Sequence, residues 1–476
     1  MPPCPALDTA RGMIKDKAFL VGVGGSGMMP LAMILRARGV AVAGSDRSLD
    51  QGRVPAKFDA LRALGIELYP QDGSGVTSPD QLVVASAAVE ESVADIVAAE
   101  RLGAERATRA ELLASLFNDS VLPVGVAGTS GKSTVTGMIG WILHATGRDP
   151  TVMNGAVMKN FATPDAPFAS ALVGGGDAFV SEVDESDGSI ALYRPRIAVL
   201  NNVSLDHKGL DELRLLFGDF LTKAKTAVIN RDNADAAALG DVLGPERRVT
   251  FSVENEADLV ARDLREAPFG VGFSLYHVGG AVPVALQVPG RHNVSNALAA
   301  IGAAVAAGVP VGDAAAAIGG FLGLRRRMEL VGEAAGVAVI DDFAHNPDKI
   351  AATLATLHAF PGRVLMLFQP HGFGPLAKMG RELAATFAER MRAGDVLVMP
   401  DPVYQGGTVA RAVGSDDIVR AVAGAGRDAR HVAGRVQAAA MLVAEALAGD
   451  RIVVMGARDD TLSLLAEGMV RDLAGR

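Results

Sequence analysis

The sequence predicts an α/β chain of mostly parallel sheets with helices on their faces, and three features lead there. A glycine-rich turn at 22–27 separates an apolar strand from a helical run. A second turn, Gly128–Thr134 (GTSGKST), follows the apolar run Val121, Leu122, Val124 and Val126 and opens another helical pattern. In the last third, short apolar stretches at 337–340, 363–368, 395–399 and 451–455 are separated by helical ones such as 381–391 and 436–448. Buried strands separated by helices are the signature of parallel sheets. At roughly 150 residues per domain, 476 residues make about three domains, placed at 1–118, 119–324 and 325–476.

Composition narrows the partners. A formal net charge of −9 disfavours nucleic acid, whose phosphates such a surface repels. The single cysteine, Cys4, excludes an intramolecular disulfide and a cysteine-based metal site. No apolar run is long enough to span a bilayer, and no apolar segment follows the basic residues at the start, so a cytoplasmic protein with no membrane partner is expected. Pro2, Pro3 and Pro5 read as a flexible leader, and the 55 glycines suit tight turns and close helix packing. There is no internal repeat. Oligomeric state is left as monomer or homodimer.

The first segment reads as a strand at 18–23, the turn GVGGSGM, a helix at 30–38 and a strand at 40–43 ending on Gly44, Ser45 and Asp46. Gly22, Gly24 and Gly27 fit GxGxxG, and Asp46 lies where a ribose-binding acid would stand. Alone this suggests NAD. The same geometry serves any diphosphate-bearing ligand, a nucleotide sugar included, and a purely structural turn is the plain alternative. Alternation continues through 61–69, a strand at 81–85 and helices at 92–102 and 110–117, and Asn118, Asp119 and Ser120 read as a hinge.

In the second segment, Gly128–Thr134 has the chemistry of a nucleotide-triphosphate cradle. Glycines let backbone N–H groups face a phosphate, the helix N-terminus favours negative charge, Lys132 supplies a cation, and Ser133 or Thr134 offers a hydroxyl to Mg2+. Val135, Met138, Ile139 and Ile142 recur at helical spacing, as a helix packed on a sheet requires. The general GxxxxGK[ST] form would need glycine where Val126 stands, so an incidental turn is the alternative. Strands follow at 178–183 and 197–200, and an alanine-rich helix at 297–307. Four carboxylates crowd into Ser181–Asp187 (SEVDESD) just past the first of these strands. Such crowding fits either a solvated loop or a cation site built of hard oxygens. Asn201, Asn202, Asp206 and His207 follow the next strand, where a histidine can ligate a metal or orient a phosphate. Lys223 and Lys225 read as part of a later strand.

Taken in order, GVGGSGM and the GSD at 44–46, VVASAAV at 83–89, GTSGKST, SEVDESD, NNVSLDH, VPGRHNVSNALAA at 288–300, GLRRRME at 323–329, DDFAHNPDKI at 341–350 and FQPH at 368–371 resemble the Mur ligase family. The resemblance covers almost the whole chain. The first two elements look most like the branch that acts on UDP-N-acetylmuramate and its peptide-recycling relative. It implies a Rossmann-like UDP-binding domain, a central P-loop ATPase domain and a Rossmann-like C-terminal domain that binds the amino acid and closes. The implied activity is an ATP- and Mg2+-dependent amide-bond ligase of peptidoglycan precursor metabolism. It joins the carboxylate of UDP-N-acetylmuramate, or a related muropeptide, to an amino acid or peptide amine through an acyl phosphate.

Residue by residue, the resemblance assigns Gly128, Thr129, Ser130, Gly131, Lys132, Ser133 and Thr134 to the ATP loop, with Ser133, Glu182 and His207 as metal ligands. Asn293, Asn296, Arg327, Asp342, His345 and Asn346 complete the nucleotide contacts, and Gly22, Gly24, Ser26, Gly27 and Asp46 hold the UDP portion. Lys132, Glu182, His207, Arg327 and Asp342 would be the catalytic set. Phe343, His345, His371 and Lys378 would line the amino-acid pocket.

The chain departs from the family pattern at two places. Gly209 replaces an aspartate, and Gly372, Phe373, Gly374 and Pro375 replace an arginine-containing run that holds the incoming amino acid's carboxylate. Neither glycine nor proline can make a bidentate guanidinium contact, and Lys378 offers a nearby cation. The amino donor is therefore open among an alanine-adding role, a peptide-recycling role and a cyanophycin-synthetase-like role. Two other classes stand beside these: a sensor retaining both nucleotide pockets, and an NAD-dependent oxidoreductase.

Overall fold

In the computed structural model, residues 15–87, 89–204, 208–403, 413–457 and 459–476 are described. The expectations for the leader, for Asp206 and for His207 lie outside them. The chain forms two compact units. One runs through Arg265 and adds Gly272–Gln287 and Asn293–Leu324; the other takes Glu266–Val271, Val288–His292 and Arg325–Arg476.

The first unit opens with a five-stranded sheet of β1 (Lys17–Val21), β2 (Ala41–Ser45), β3 (Glu67–Tyr69), β4 (Leu82–Ala85) and β5 (Glu105–Thr108). Its order is β3-β2-β1-β4-β5, and every pairing is parallel. The chain reverses direction across the sheet between β1 and β4, and the crevice at such a switch point is where open α/β sheets take ligands. The turn at 22–27 leaves β1 at that crevice.

The second sheet of this unit has ten strands. They are β6 (Leu122–Ala127), β7 (Thr151–Met153), β8 (Ala171–Leu172), β9 (Ala178–Glu182), β10 (Ile197–Leu200), β11 (Thr226–Asn230), β12 (Arg248–Ser252), β13 (Leu259–Ala267), β14 (Gly270–His277) and β15 (Gly280–Leu286). The order is β15-β14-β13-β12-β11-β10-β6-β9-β7-β8. Around β6 the pairing is parallel, with β9 on one side and β10 on the other. The helix Lys132–Ala145 follows β6, and its Val135, Met138, Ile139 and Ile142 are fully buried, as their spacing requires.

Antiparallel pairing lies at the margins of this sheet. β8 pairs antiparallel with β7, and β13, β14 and β15 are joined by two-residue connections, which only antiparallel neighbours allow. Along β14, Val271, Phe273 and Leu275 are buried in alternation, the period of a strand covered on one face. The placement of Lys223 and Lys225 is corrected. Leu213, Phe217, Phe220 and Leu221 are the buried face of a helix, Leu210–Lys223, so Lys223 ends a helix and Lys225 precedes β11.

The hinge expected at 118–120 is instead an anchor. Asn118 ends the helix Arg109–Asn118, donating to the Leu192 carbonyl at 2.9 Å and accepting from the Arg194 N–H at 2.7 Å. Beside it, Phe117 meets Phe179 and Tyr193 edge-on at 6.0 and 5.2 Å between ring centres. One hydrophobic core runs through both sheets, from Leu20 and Leu31 to Phe179 and Phe217.

The second unit holds a six-stranded sheet: β16 (Glu329–Ala334), β17 (Val337–Asp342), β18 (Val364–Phe368), β19 (Val396–Met399), β20 (Asp428–His431) and β21 (Arg451–Met455). The order is β16-β17-β21-β18-β19-β20, parallel except for the edge hairpin β16–β17. Helices Pro347–His358, Phe373–Arg390 and Ser415–Gly424 cover one face, and Arg435–Glu445 and Thr461–Ala474 the other. The helix expected at 381–391 begins at Phe373. Pro375 stands in its first turn, where no backbone N–H is needed.

Candidate active site

The phosphate loop of the first unit is held in shape by asparagines. Asn202, just past β10, accepts from the Ser130 N–H at 2.8 Å and the Thr129 hydroxyl at 2.9 Å, and its amide donates to the Ser130 carbonyl at 3.1 Å. Asn201 donates to the same carbonyl at 3.1 Å and to Asn296 Oδ1 at 3.0 Å, and Asn296 donates to Asn293 Oδ1 at 3.0 Å. Gly131 closes the loop at φ +83°, and a Cβ there would lie 2.4 Å from Asn201 Nδ2 and 2.7 Å from Asn296 Oδ1. Both the left-handed backbone and the missing side chain are needed at that position.

Lys132 Nζ donates to the loop's own Gly128 carbonyl at 2.8 Å and pairs with Glu185 Oε2 at 2.7 Å. The Ser133 hydroxyl donates to Glu182 Oε2 at 2.9 Å, while the other oxygen of Glu182 accepts from the Gly155 N–H. Of the two candidate hydroxyls, it is thus Ser133 that meets the acid. Burial works to raise the Asp184 carboxyl, but the charge of Lys132, the hydrogen bonds from Ser186 and the charge of Arg109 outweigh it and hold it below the ordinary carboxylate range. Lys132 thus pairs with Glu185 and helps keep Asp184 ionised. Ser133 and Glu182 are hard oxygen donors that fit Mg2+; among the described residues no three His, Cys, Asp or Glu side chains form a metal cage.

At the crevice of the first sheet, the Gly22 and Val23 N–H groups donate to the Ser45 carbonyl at 2.8 and 2.9 Å. Asp46 accepts from the Gly24 N–H at 2.9 Å through one oxygen and from the Ser48 N–H at 2.7 Å through the other. It shapes the glycine turn as well as standing beside it. Behind it, buried Asp95 accepts from the Ser45 hydroxyl at 2.6 Å and the Gly73 N–H at 3.0 Å, and burial pushes its carboxyl up. Ser26 is exposed at the rim.

In the second unit, the end of β17 gathers several expected residues. Arg327 stacks over Phe343 at 4.6 Å, and Arg326, which the motifs left unassigned, lies 5.2 Å from the same ring. Arg326 also donates to the Gly456 carbonyl at 2.7 Å and faces buried Asp341 at 3.4 Å. Burial pushes the Asp341 carboxyl up to about 6. Asp342 accepts from the Met328 N–H at 3.2 Å and from the Thr353 hydroxyl. His345 and His371 meet edge-on at 5.5 Å. Because His345 Nδ1 lies 2.8 Å from the Phe343 carbonyl, that nitrogen carries the proton and Nε2 is left as an acceptor. Burial, then the charge of Lys349, lowers this imidazole to about 3, so it is neutral at physiological pH.

Two expected residues stand apart. Asn346 spends its side-chain oxygen capping the helix Pro347–His358, accepting from the Lys349 N–H at 3.0 Å. Lys378 is exposed on the helix Phe373–Arg390, and no contact joins it to the histidine pair among the described residues. Sequence reading missed Glu185 and Arg326 as partners and gave Asn201 and Asn202 no role. The signal was present in the repeated acids of SEVDESD and in the NN pair directly after a strand.

Comparison with known proteins finds three family models in chain order. The Mur ligase family catalytic domain matches residues 19–120, the Mur ligase middle domain 126–304, and the Mur ligase glutamate ligase domain 326–458. The chain is 37% identical to the UDP-N-acetylmuramate–L-alanine ligase of Streptomyces coelicolor, covering 96% of this chain and 97% of that protein. It is 35% identical to the ligase of the same name from Acidithiobacillus ferrooxidans, over 92% and 94% of the two chains. Among solved structures it is similar to the UDP-N-acetylmuramate-alanine ligase of Thermotoga maritima, with TM-score 0.78 and 24% identity over 96% and 98% of the chains. It is also similar to a murein peptide ligase of Psychrobacter arcticus, with TM-score 0.71 and 25% identity over 97% and 99%.

Proposed function

Since the chain belongs to the Mur ligase family, we propose that it is the member that joins the carboxylate of UDP-N-acetylmuramate to the amine of L-alanine, converting ATP to ADP and phosphate. It is an ATP-dependent ligase of peptidoglycan precursor synthesis, and the amino donor is the proposed part. The observation that carries the reading is the preformed loop Gly128–Ser133, with Lys132 on Glu185 and Ser133 on Glu182, in one compact unit with the glycine turn of the first sheet. L-alanine is supported by the name shared by the curated relatives.

The chemistry follows from these residues. A carboxylate oxygen is a poor leaving group, so the acceptor must first be phosphorylated. Its carboxylate attacks the γ-phosphate, ADP leaves, and the amine then displaces phosphate from the acyl phosphate. Backbone N–H groups of Gly128–Ser133 and the N-terminus of the helix Lys132–Ala145 hold the nucleotide phosphates. Lys132, exchanging Glu185 for phosphate, offsets charge on the transferred group. Mg2+, held by Ser133, Glu182 and His207, would supply further charge neutralisation there. Arg327, Asp342, His345 and Asn346 are proposed as the C-terminal contribution to nucleotide and amine. Among the described residues no helix is long and apolar enough to cross a membrane, and we place the reaction in the cytoplasm, where ATP is supplied.

A second reading replaces the amino acid by a free peptide. The likeness to a murein peptide ligase favours it. Both are tested by measuring ADP release with UDP-N-acetylmuramate against a panel of amino acids and a muropeptide-derived tripeptide, with the product identified by mass. L-alanine should stimulate release by at least tenfold over the other amines. Stimulation by the tripeptide alone would select the recycling role, and no stimulation by any amine would defeat the ligase reading.

A further inference from the structure

Strands β7 and β9 pair in parallel with Met153 opposite Ser181, so the residues that follow them, Asn154 and Glu182, leave the sheet side by side. Neither Asn154 nor Gly155 belongs to a motif named above. Asn154 is fully buried, and its side chain is spent within this corner. Its amide donates to the Ser133 carbonyl at 2.9 Å, and its oxygen accepts from the Ala156 N–H at 3.0 Å. Its backbone N–H donates to the Ser170 carbonyl at 3.0 Å. The turn that carries Gly155 is thereby tied to the first turn of the helix Lys132–Ala145.

Gly155 in turn meets the acid. Its N–H donates to Glu182 Oε1, while Oε2 of the same carboxylate accepts from the Ser133 hydroxyl at 2.9 Å. A Cβ on Gly155 would run into Glu182 Oε1, the atom nearest to it, so any side chain there pushes the carboxylate off this position. A carboxylate with one oxygen held by a backbone N–H presents the other as a single donor, here on the Ser133 side. Cations differ in how they accept such a donor. Ca2+ gathers more oxygens at longer distance and often takes both from one carboxylate, whereas Mg2+ is smaller, holds to octahedral geometry and is bound by one or two carboxylates together with phosphates and water.

We propose that Asn154 and Gly155 are positioning residues for the cation site, with Asn154 fixing the Ser133 end and the Gly155 N–H occupying one oxygen of Glu182, so that the site favours Mg2+ over Ca2+. Each acts through Ser133 or Glu182 and not by contact with the cation. The inference rests on the functional reading above and extends it to the choice of metal.

Titration calorimetry of a non-hydrolysable ATP analogue in EDTA, in Mg2+ and in Ca2+ tests it on the full chain as wild type, Gly155→Ala and Asn154→Ala, with a melting scan to report the fold of each. In wild type, Mg2+ should tighten the analogue at least tenfold and Ca2+ less than threefold. Gly155→Ala should lose about tenfold of the Mg2+ gain, the scale on which metal sites respond when a group that orients a ligand is removed, and should bring Mg2+ and Ca2+ within threefold of each other. Asn154→Ala should lose a smaller part of the gain. Affinity in EDTA should stay within twofold in both variants, which a merely structural role would not preserve. Equal gains from Mg2+ and Ca2+ in wild type, an undiminished Mg2+ gain in the variants, or a loss in EDTA as large as that in Mg2+ would overturn the proposal. If Gly155→Ala shows no melting transition, Asn154→Ala and the wild-type cation comparison decide. A wild-type chain that binds the analogue under none of the three conditions would overturn the functional reading itself.

Discussion

Lys132 is the residue proposed to meet the nucleotide, and its charge is already met by Glu185, with the two side chains 18% and 5% exposed. Removing one member of a pair this buried strands the other, at a cost of about 3–5 kcal/mol. On the proposed function a bound phosphate would take over the role of Glu185, and Glu185 would meet the cation again when the phosphate leaves. His345 shows the opposite economy, a titratable group kept uncharged. The folded chain takes its proton only near pH 3, whereas an unfolded histidine takes it at about 6.5. The folded pKa is the lower one, so the stability it confers is present above pH 6.5 and lost as pH falls. Between pH 7.5 and 5.5 the loss is about 1.4 kcal/mol. Denaturant midpoints for wild type and His345→Asn across that range should show a slope that the variant lacks by about this amount. Parallel pH profiles would remove His345 as the cause.

Elements show where sequence reasoning reached and where it stopped. The strands at Ile197–Leu200 and Arg451–Met455 and the helices after both glycine turns were legible, because continuous apolar runs and 3.6-residue spacing mark them locally. The meander of β13 to β15 was not, since alternation of Val271, Phe273 and Leu275 with polar residues is a weaker signal than an unbroken run. Nor could chain order show that Asn201 and Asn296 meet over Gly131, because that contact joins residues 95 positions apart. Asn118 read as a hinge from its polar neighbours, yet its partners Leu192 and Arg194 lie far along the chain. Gly131→Ala tests the loop as an element. It should cost about 1–2 kcal/mol for the left-handed backbone, plus the displacement of two asparagines. Gly147, at φ +77° with no neighbour within 4 Å, supplies the matched control. Gly147→Ala should lose stability but keep ATP binding, while Gly131→Ala should lose ATP affinity by more than tenfold. Equal ATP affinity in the two variants would show that the asparagine contact is dispensable.

At the scale of the whole molecule, two compact units, each with its own sheets and core, are not expected to melt as one. Calorimetry should resolve two transitions. UDP at about 100 times its Kd should stabilise the unit carrying the glycine turn by about 2.7 kcal/mol, raising one transition by roughly 5 °C and leaving the other in place. A uniform shift of both would argue against independent units. Within the first unit the situation differs, since Leu31, Phe117, Phe179 and Phe217 belong to one core. The span from the glycine turn of the first sheet to the phosphate loop of the second is therefore set when the chain folds. On the proposed function such a span would be a ruler laid along the acceptor: a molecule whose nucleotide and carboxylate ends are too near or too far apart would reach one loop and miss the other, however well either end binds alone.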